Sequence, residues 1–236
     1  MMHWVSASDT HPGNRRPRNE DAVFCSSGAG LWAVADGMGG HKAGDYASET
    51  IAQSLADVDL NGNLSDCVDR IEDSLLEVND HLRHHARLEC DGNTVGSTVV
   101  VLVVRGDVGV ALWAGDSRLY RQRGRQICQI TRDHNPVADL LDSGAVTEEE
   151  ALATDTHIIT RAVGGQRDLH LDVAVFDVSA GDTMLLCSDG LYREVDPQQM
   201  YEALRQTPDK AVELLMADCL QGEARDNVSI VVARAE

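Results

Sequence analysis

Two segments in the first part of the chain carry the apolar periodicity of amphipathic helices. In residues 43–55 apolar side chains recur every four positions, and in residues 68–82 they recur at spacings of three and four. Each segment is therefore predicted to lay an apolar stripe on a neighbouring layer. Near the C-terminus, Asp196 and Thr207 each precede a proline, a pattern typical of an N-cap with proline at the first helical position. We predict two further helices there.

Runs of β-branched and apolar residues predict strands. Residues 98–104 (TVVVLVV) and 108–114 (VGVALWA) are separated by Arg105-Gly106-Asp107, which predicts a hairpin. Their apolarity is continuous rather than alternating, as expected when both faces of a sheet are buried. Sheets buried on both faces, with helices available for the outer layers, indicate an α+β layered sandwich. Further strands are predicted at residues 31–35, 127–131, 171–178, 183–187 and 228–233.

One long segment interrupts this pattern. Residues 135–165 contain few strand signals, and within them Thr147 and Glu150 have the spacing of a capping box for a short helix. We predict a mobile insertion here. The total length of 236 residues favours a single domain spanning residues 1–236.

Composition and charge narrow the possible partners. The chain has 20 Lys and Arg against 39 Asp and Glu, a net charge of −19, and so negative a surface repels nucleic acid. No apolar run approaches the roughly 20 residues that cross a bilayer, and the polar N-terminus does not resemble a signal peptide. We expect a cytoplasmic protein with neither nucleic acid nor membrane as a partner. None of the six cysteines pair as CxxC, so we predict reduced core thiols rather than a zinc or redox site.

Short acidic motifs at the ends of predicted strands are the candidates for a functional site. Any single Asp-Gly is equally well explained as turn chemistry. However, Asp36, Asp189 and Asp226 each adjoin a predicted apolar strand, and carboxylates gathered at strand ends suit Mg²⁺ or Mn²⁺. The glycines after Asp36 would let a backbone carbonyl approach a cation. The motifs are Asn19-Glu20-Asp21, Ala35-Asp36-Gly37-Met38-Gly39-Gly40, Ser188-Asp189-Gly190 and Arg225-Asp226-Asn227, with Gly115-Asp116-Ser117-Arg118 as a fifth candidate.

Six motifs in order carry a resemblance to a known family. They are Arg16-Pro17-Arg18-Asn19-Glu20-Asp21, Ala35-Asp36-Gly37-Met38-Gly39-Gly40-His41, Gly96-Ser97-Thr98, Ala114-Gly115-Asp116-Ser117-Arg118, Cys187-Ser188-Asp189-Gly190-Leu191 and Ala224-Arg225-Asp226-Asn227. The set resembles the bacterial metal-dependent protein serine/threonine phosphatases of the PP2C (PPM) class, and the resemblance runs over about residues 6–234. The resemblance implies a four-layer αββα sandwich, two antiparallel β-sheets flanked by helix pairs, in which residues 135–165 are a variable flap.

The resemblance also implies two Mn²⁺ or Mg²⁺ ions held by particular residues. Asp36 corresponds to the carboxylate that bridges both ions. Asp189 and Asp226 correspond to ligands of one ion, and the Gly37 carbonyl with Glu20 to the protein contacts of the other.

Two further aspartates have implied roles near these ions. Asp21 corresponds to a residue that lies behind the ligands without touching a metal. Asp116 resembles the residue that helps hold a third, weaker ion, with Asp189 shared. The alternative for Asp116 is that it caps the turn after the strand ending at Ala114.

The first motif implies a substrate contact. Arg16 corresponds to the phosphate-binding arginine of the family, and Arg15 and Arg18 are then solvated neighbours. Met38 stands where many eukaryotic members have a histidine proposed as the general acid, so the residue that protonates the leaving group is left unassigned. His41 is a candidate for that acid, with a structural hydrogen-bonding role as its alternative.

The activity implied is hydrolysis of phosphoserine and phosphothreonine in proteins by direct attack of a metal-bridged water or hydroxide, which requires no nucleophilic side chain. Phosphorylated proteins would be the substrates, and the enzyme, expected as a monomer, would oppose a Hanks-type bacterial kinase. The basic first motif also suggests the group associated with type VI secretion. One alternative is a catalytically silent metal-binding module that recognises phosphoproteins. Another is a metal-dependent hydrolase of small phosphate esters or nucleic acid.

Overall fold

A computed structural model describes residues 2–39, 43–142, 144–147 and 158–236. Within these residues eleven strands form two antiparallel sheets. The strands are β1 (Trp4–His11), β2 (Asp21–Ser26), β3 (Leu31–Met38), β4 (Gly96–Ser97), β5 (Val99–Arg105), β6 (Val108–Ala114), β7 (Arg118–Arg123), β8 (Gln126–Gln129), β9 (Asp172–Asp177), β10 (Thr183–Cys187) and β11 (Val228–Ala235). One sheet has the order β1-β11-β10-β7-β8. The other has the order β2-β3-β5-β6-β9, and the short β4 pairs with β3.

The helices lie on the outer faces of the two sheets. The described helices are α1 (Ala43–Asp57), α2 (Leu64–Glu89), α3 (Pro136–Asp142), α4 (Asp189–Tyr192), α5 (Pro197–Leu204) and α6 (Pro208–Gln221). The pair α1 and α2 packs on the sheet that contains β3 and β5, whereas α5 and α6 pack together on the side of β1 and β11. Each outer layer is therefore a helix pair, as predicted.

Three separate apolar cores hold these layers together. One core lies between the α1–α2 pair and its sheet, a second lies between the C-terminal helices and the other sheet, and a third fills the space between the two sheets. Three cores require four layers. The predicted αββα sandwich with two antiparallel sheets is thus confirmed.

Strand β5 shows why its sequence is apolar without alternation. Val99, Val101 and Val103 point into the helix-facing core. Val100 and Leu102 point into the core between the sheets. Because successive side chains of a strand face opposite sides, a strand buried on both faces needs an apolar residue at every position.

Three long strands were not predicted from the sequence. The edge strand β1 mixes polar and apolar residues, and β2 begins inside an acidic motif. Strand β7 contains three arginines, a composition that does not predict a strand. In the structure Arg118, Arg121 and Arg123 all form ion pairs with aspartates. Tertiary pairing therefore made strands of segments whose local composition favours loops.

Residues 135–165 are only partly described. Helix α3 lies in the first part of this segment. Near its end, the Thr160 N–H donates to the His134 carbonyl at 2.8 Å. The predicted capping box lies outside the described residues, since Glu150 is not among them.

All six cysteines are free thiols, and Cys67, Cys187 and Cys219 are buried while Cys128 is exposed. Reduced thiols were predicted, but a core position was predicted for all six, which Cys128 contradicts. Among the described helices, none combines the length and the apolar composition needed to cross a bilayer.

The two C-terminal helices begin differently, although both follow the predicted pattern of an N-cap before proline. The Asp196 carboxylate accepts hydrogen bonds from the N–H groups of Gln198 and Gln199, and the Gln199 side chain accepts the Asp196 N–H in return. The Thr207 side chain makes no capping hydrogen bond at the start of α6. Only the first helix therefore has a capping box.

We expect Asp196→Ala to lower the free energy of unfolding by about 1 kcal/mol, because orphan N–H groups of α5 lose their acceptor. Thr207→Ala is the matched control and should change that free energy by less than about 0.5 kcal/mol. Urea unfolding followed by circular dichroism measures both variants. Equal losses in the two variants would contradict this account of the caps.

Candidate active site

A cleft lies where the ends of strands from both sheets meet. The side chains that line it include five carboxylates, and arginines stand at its rim. Arg16 and all the predicted metal ligands line this cleft, whereas Asp21 does not. The lining residues are Arg16, Glu20, Asp36, Gly37, Met38, Gly39, Thr98, Asp116, Ile159, Asp189, Arg225, Asp226 and Asn227.

Asp36 lies inside strand β3, which extends beyond the predicted strand 31–35 as far as Met38. Its N–H donates to the Thr98 hydroxyl at 3.1 Å, and its carbonyl accepts the Thr98 N–H at 2.9 Å. Asp21 is its antiparallel partner on β2. The strand continues because these pairings satisfy the backbone, so turn chemistry does not explain this Asp-Gly.

Asp189 is the first residue of the short helix α4. Gly190, the next residue, packs so closely against the following strand that a Cβ atom there would lie 2.0 Å from the Asn227 carbonyl oxygen. Only glycine allows this approach. The close packing brings the Asp189 end of the helix beside Asp226, which precedes β11.

Glu20 and Gly37 are neighbours in the lining of the cleft. The Gly37 N–H donates to the Glu20 carbonyl at 3.0 Å, and the Glu20 N–H donates to Asn227 Oδ1 at 2.8 Å. A Cβ atom on Gly37 would lie 2.1 Å from the Gly44 carbonyl oxygen, so the backbone of β3 and α1 can meet here only through glycine.

Asp21 is buried and does not line the cleft. Ser188 Oγ donates to Asp21 Oδ2 at 2.8 Å and in turn accepts the Ser229 N–H at 2.9 Å. The other oxygen, Asp21 Oδ1, is buried without a hydrogen-bond partner. Ser188 therefore joins the buried carboxylate of Asp21 to the backbone of β11.

Burial and, after it, repulsion between carboxylates raise pKa values in the cluster. Burial, followed by repulsion from neighbouring carboxylates, holds the pKa of Asp36 well above its usual range, although its side chain is partly open to the cleft. Burial raises the pKa of Asp21 to about 7 and that of Asp116 to about 6. Burial and the nearby Asp45 also raise the pKa of Glu20. The cluster therefore carries more negative charge than its surroundings compensate.

Two arginines hold individual carboxylates of the cluster. Arg16 Nη2 lies 2.8 Å from Asp226 Oδ2, and Arg193 Nε lies 3.0 Å from Asp189 Oδ2. In the part of the chain that the structure describes, no three His, Cys, Asp or Glu side chains stand close enough to ligate one ion as they are. Repulsion between like charges and the pull of these two guanidinium groups account for the spread of the carboxylates.

The donor set nevertheless fits Mg²⁺ or Mn²⁺. Its potential ligands are carboxylate oxygens and the Gly37 carbonyl, the hard donors that these ions prefer. Burial and repulsion from neighbouring carboxylates raise the pKa values of Asp36 and Asp116, both of which line the cleft, so negative charge there needs compensation. A divalent cation in the cleft would compensate that charge.

Several residues that build the site were not assigned roles from the sequence. Thr98 and Asn227 belong to two of the six motifs, but no role was assigned to them. Thr98 bonds to Asp36 and Asn227 bonds to Glu20, and such hydrogen bonds between distant segments leave no pattern in the local sequence. Arg193 had one signal, its i,i+4 spacing from Asp189 on α4. His41, the candidate acid, lies outside the described residues.

Comparison with known proteins gives consistent matches. A family model described as protein phosphatase 2C matches residues 10–222. The chain is 34% identical to the serine/threonine protein phosphatase PstP of Mycobacterium tuberculosis over 236 residues, which cover 99% of this chain and 45% of that protein. It is also 34% identical to a serine/threonine phosphatase stp of Listeria monocytogenes, with coverage of 96% of this chain and 94% of that protein.

Solved structures match over the whole fold. PppA, described as a key regulatory component of the T6SS in Pseudomonas aeruginosa, superposes with a TM-score of 0.89 at 40% identity and covers 99% of this chain and 98% of its own. The catalytic domain of PstP in complex with two manganese ions superposes with a TM-score of 0.88 at 32% identity, over 100% of this chain and 99% of its own. The chain spans less than half the length of the full mycobacterial relative.

We expect the metal-free protein to lose stability as the pH rises from 5 to 8. Asp21 and Asp116 have pKa values raised by burial to about 7 and about 6. Their contribution to stability is therefore full below the unfolded pKa near 4 and is lost as the pH rises through the folded values. Thermal unfolding midpoints measured in chelator across this range test the expectation.

The pH dependence should be shallower in Asp36→Asn, because one charge has left the centre of the cluster. Asp69→Asn, on the exposed face of α2, is the control and should follow the wild-type curve. A midpoint that stays constant or rises toward pH 8 in the metal-free wild type would contradict the electrostatic account.

Proposed function

Because the chain belongs to the protein phosphatase 2C family, we propose that it is a metal-dependent phosphatase of phosphoserine and phosphothreonine in proteins. One observation carries the proposal: carboxylates from five separate parts of the chain gather in one cleft with an arginine at its rim. A binding module that only recognises phosphate has no need of such a set, which disfavours the catalytically silent alternative.

The metal contacts are proposed as follows. Asp36 would help to hold both ions, Asp189 and Asp226 would hold one of them, and the Gly37 carbonyl with Glu20 would hold the other. The manganese ions of the PstP catalytic domain support two core ions of this kind. When bound, Mn²⁺ or Mg²⁺ supplies Lewis acidity toward the phosphoryl group and activates water for attack on phosphorus.

Arg16 is proposed to bind the phosphate of the substrate. Its side chain is about half exposed at the rim and donates to Asp226, so the guanidinium already points into the cleft. Planar guanidinium groups bind phosphate through paired N–H donors. Asp21, held by Ser188, keeps the strand behind Asp36 in place.

The biological setting is proposed from the relatives. Phosphorylated proteins are the substrates, and the enzyme opposes a Hanks-type kinase. The similarity to PppA supports a role in regulating type VI secretion. We further propose that it acts as a cytoplasmic monomer of one domain, with residues 135–165 as its flap.

We expect Asp36→Asn to reduce turnover of a phosphothreonine peptide by more than about 100-fold, above the loss typical of removing a partner that only supports a ligand. The physical reason is that this carboxylate is proposed to contact both ions. Turnover is measured with Mn²⁺ and again with chelator, which should abolish wild-type activity.

Asp69→Asn is the control, and circular dichroism checks that each variant is folded. Unchanged turnover in folded Asp36→Asn would refute the two-ion proposal. Phosphopeptide binding without turnover in the wild type would favour the silent module. Turnover of small phosphate esters without turnover of the peptide would favour the general hydrolase.

We expect Arg16→Ala to raise KM for a phosphopeptide more than it lowers kcat, since the guanidinium binds phosphate in the ground and transition states alike. A charge-assisted contact of about 1.5–3 kcal/mol corresponds to a roughly 10- to 150-fold loss in kcat/KM. Arg15→Ala and Arg18→Ala are matched controls that should cost little. A larger loss in either control would show that the phosphate contact was assigned to the wrong arginine.

A further inference from the structure

A guanidinium group lies between two of the carboxylates that face the cleft. Arg193 Nε is 3.0 Å from Asp189 Oδ2, and Arg193 Nη2 is 3.9 Å from Asp116 Oδ2. The resemblance of the sequence assigns these same two aspartates to a third, weaker metal ion. The structure therefore places a permanent positive charge where that ion would be expected.

Arg193 is held in this place by the end of helix α4. Its backbone N–H donates to the Asp189 carbonyl at 3.1 Å, so the residue directly follows the last helical position. The neighbouring Tyr192 hydroxyl donates to the Asp116 carbonyl at 3.1 Å. These two bonds fix the end of α4, and with it Arg193, against the Asp116 turn.

A second arginine secures Tyr192 itself. The Arg118 guanidinium lies 3.5 Å from the centre of the Tyr192 ring, a cation–π contact. Two hydrogen bonds of 2.8 and 2.7 Å join Arg118 to the Asp133 carboxylate. Because Arg118 and Asp133 are largely buried, this unit gives the Asp116 turn and α4 a defined relative position.

We propose that Arg193 supplies the positive charge between Asp116 and Asp189 and thereby takes the place of a third metal ion. The inference rests on the proposed function only in taking two metal ions as the number that the core site holds. In this chain Asp116 is a positioning residue, paired with a guanidinium, rather than a metal ligand.

Charge and solvation both favour the guanidinium. An arginine guanidinium keeps its positive charge in proteins, and that of Arg193 lies against both Asp189 and Asp116. A divalent cation held by both carboxylates would have to displace Arg193 from Asp189 or remain beside a like charge in a partly buried site. Either course weakens a third site.

The test is a calorimetric titration of Mn²⁺ into folded, metal-free protein, which needs no substrate. Wild type should bind two ions. Arg193→Gln should bind a third, with an affinity at least about tenfold above any third binding in wild type, the scale of one lost charge-assisted contact. Arg193→Lys, which keeps the charge, should again bind two.

Two further variants make the assignment specific. Adding Asp116→Asn to Arg193→Gln should remove the gained ion, because the site needs both carboxylates. Arg205→Gln is the control for net charge, since Arg205 is exposed on the distant α5 helix end and pairs with Glu202. It should bind two ions, as wild type does.

Either of two results would overturn the proposal: three ions in wild type with the third lost in Asp116→Asn, or no third ion in folded Arg193→Gln. If Arg193→Gln does not fold, the test compares wild type with Asp116→Asn, and two bound Mn²⁺ ions in each protein support the proposal. Turnover is followed separately against Mn²⁺ concentration. Loss of the proposed function would appear as an inactive wild type with unchanged ion stoichiometry, so the two failures are distinguishable.

Discussion

The rest of the site depends on the repulsion among carboxylates that the fold forces together. Asp21 and Asp116 are buried, and Asp36, the strand partner of Asp21, lines the cleft. Water cannot solvate these groups fully, so their charge must be met by protonation, by arginine or by a cation. Burial and mutual repulsion raise the pKa values of all three, so the surrounding protein groups compensate this negative charge only in part. The proposed cation binding is thus a consequence of where the strands end.

The sandwich creates this crowding because two sheets deliver their strand ends to one place. Asp36 belongs to one sheet, whereas Asp189 and Asp226 flank strands of the other. Glycines let the backbones approach: Gly37 meets α1 and Gly190 meets the start of β11 at distances that exclude a Cβ atom. The three apolar cores hold the layers against the local cost of the charged cleft. Packing energy elsewhere therefore maintains an electrostatically unfavourable arrangement at the site.

Arginine is used selectively in this acidic chain. Of the 20 basic residues, Arg16 and Arg193 each pair with a carboxylate of the cleft. Their surroundings differ, because the Arg16 side chain is 53% exposed and that of Arg193 is 25% exposed. An exposed guanidinium at the rim is available to a phosphate, whereas one fixed behind it between two aspartates acts as part of the framework. The same chemical group thus serves two purposes according to burial and anchoring.

The sequence by itself determined the layers and most of the site. Continuous apolarity in β5 and β6 required burial on two faces, and helical stripes supplied the outer layers, because side-chain periodicity is a local property. Ordered acidic motifs identified the family and the carboxylates, which the structure brings into one cleft. Tertiary structure alone decided that β1, β2 and β7 are strands, that Asp36 lies within one, and that Arg193 reaches Asp116. Each of these depends on contacts between segments far apart along the chain, whose energies leave no local pattern to read.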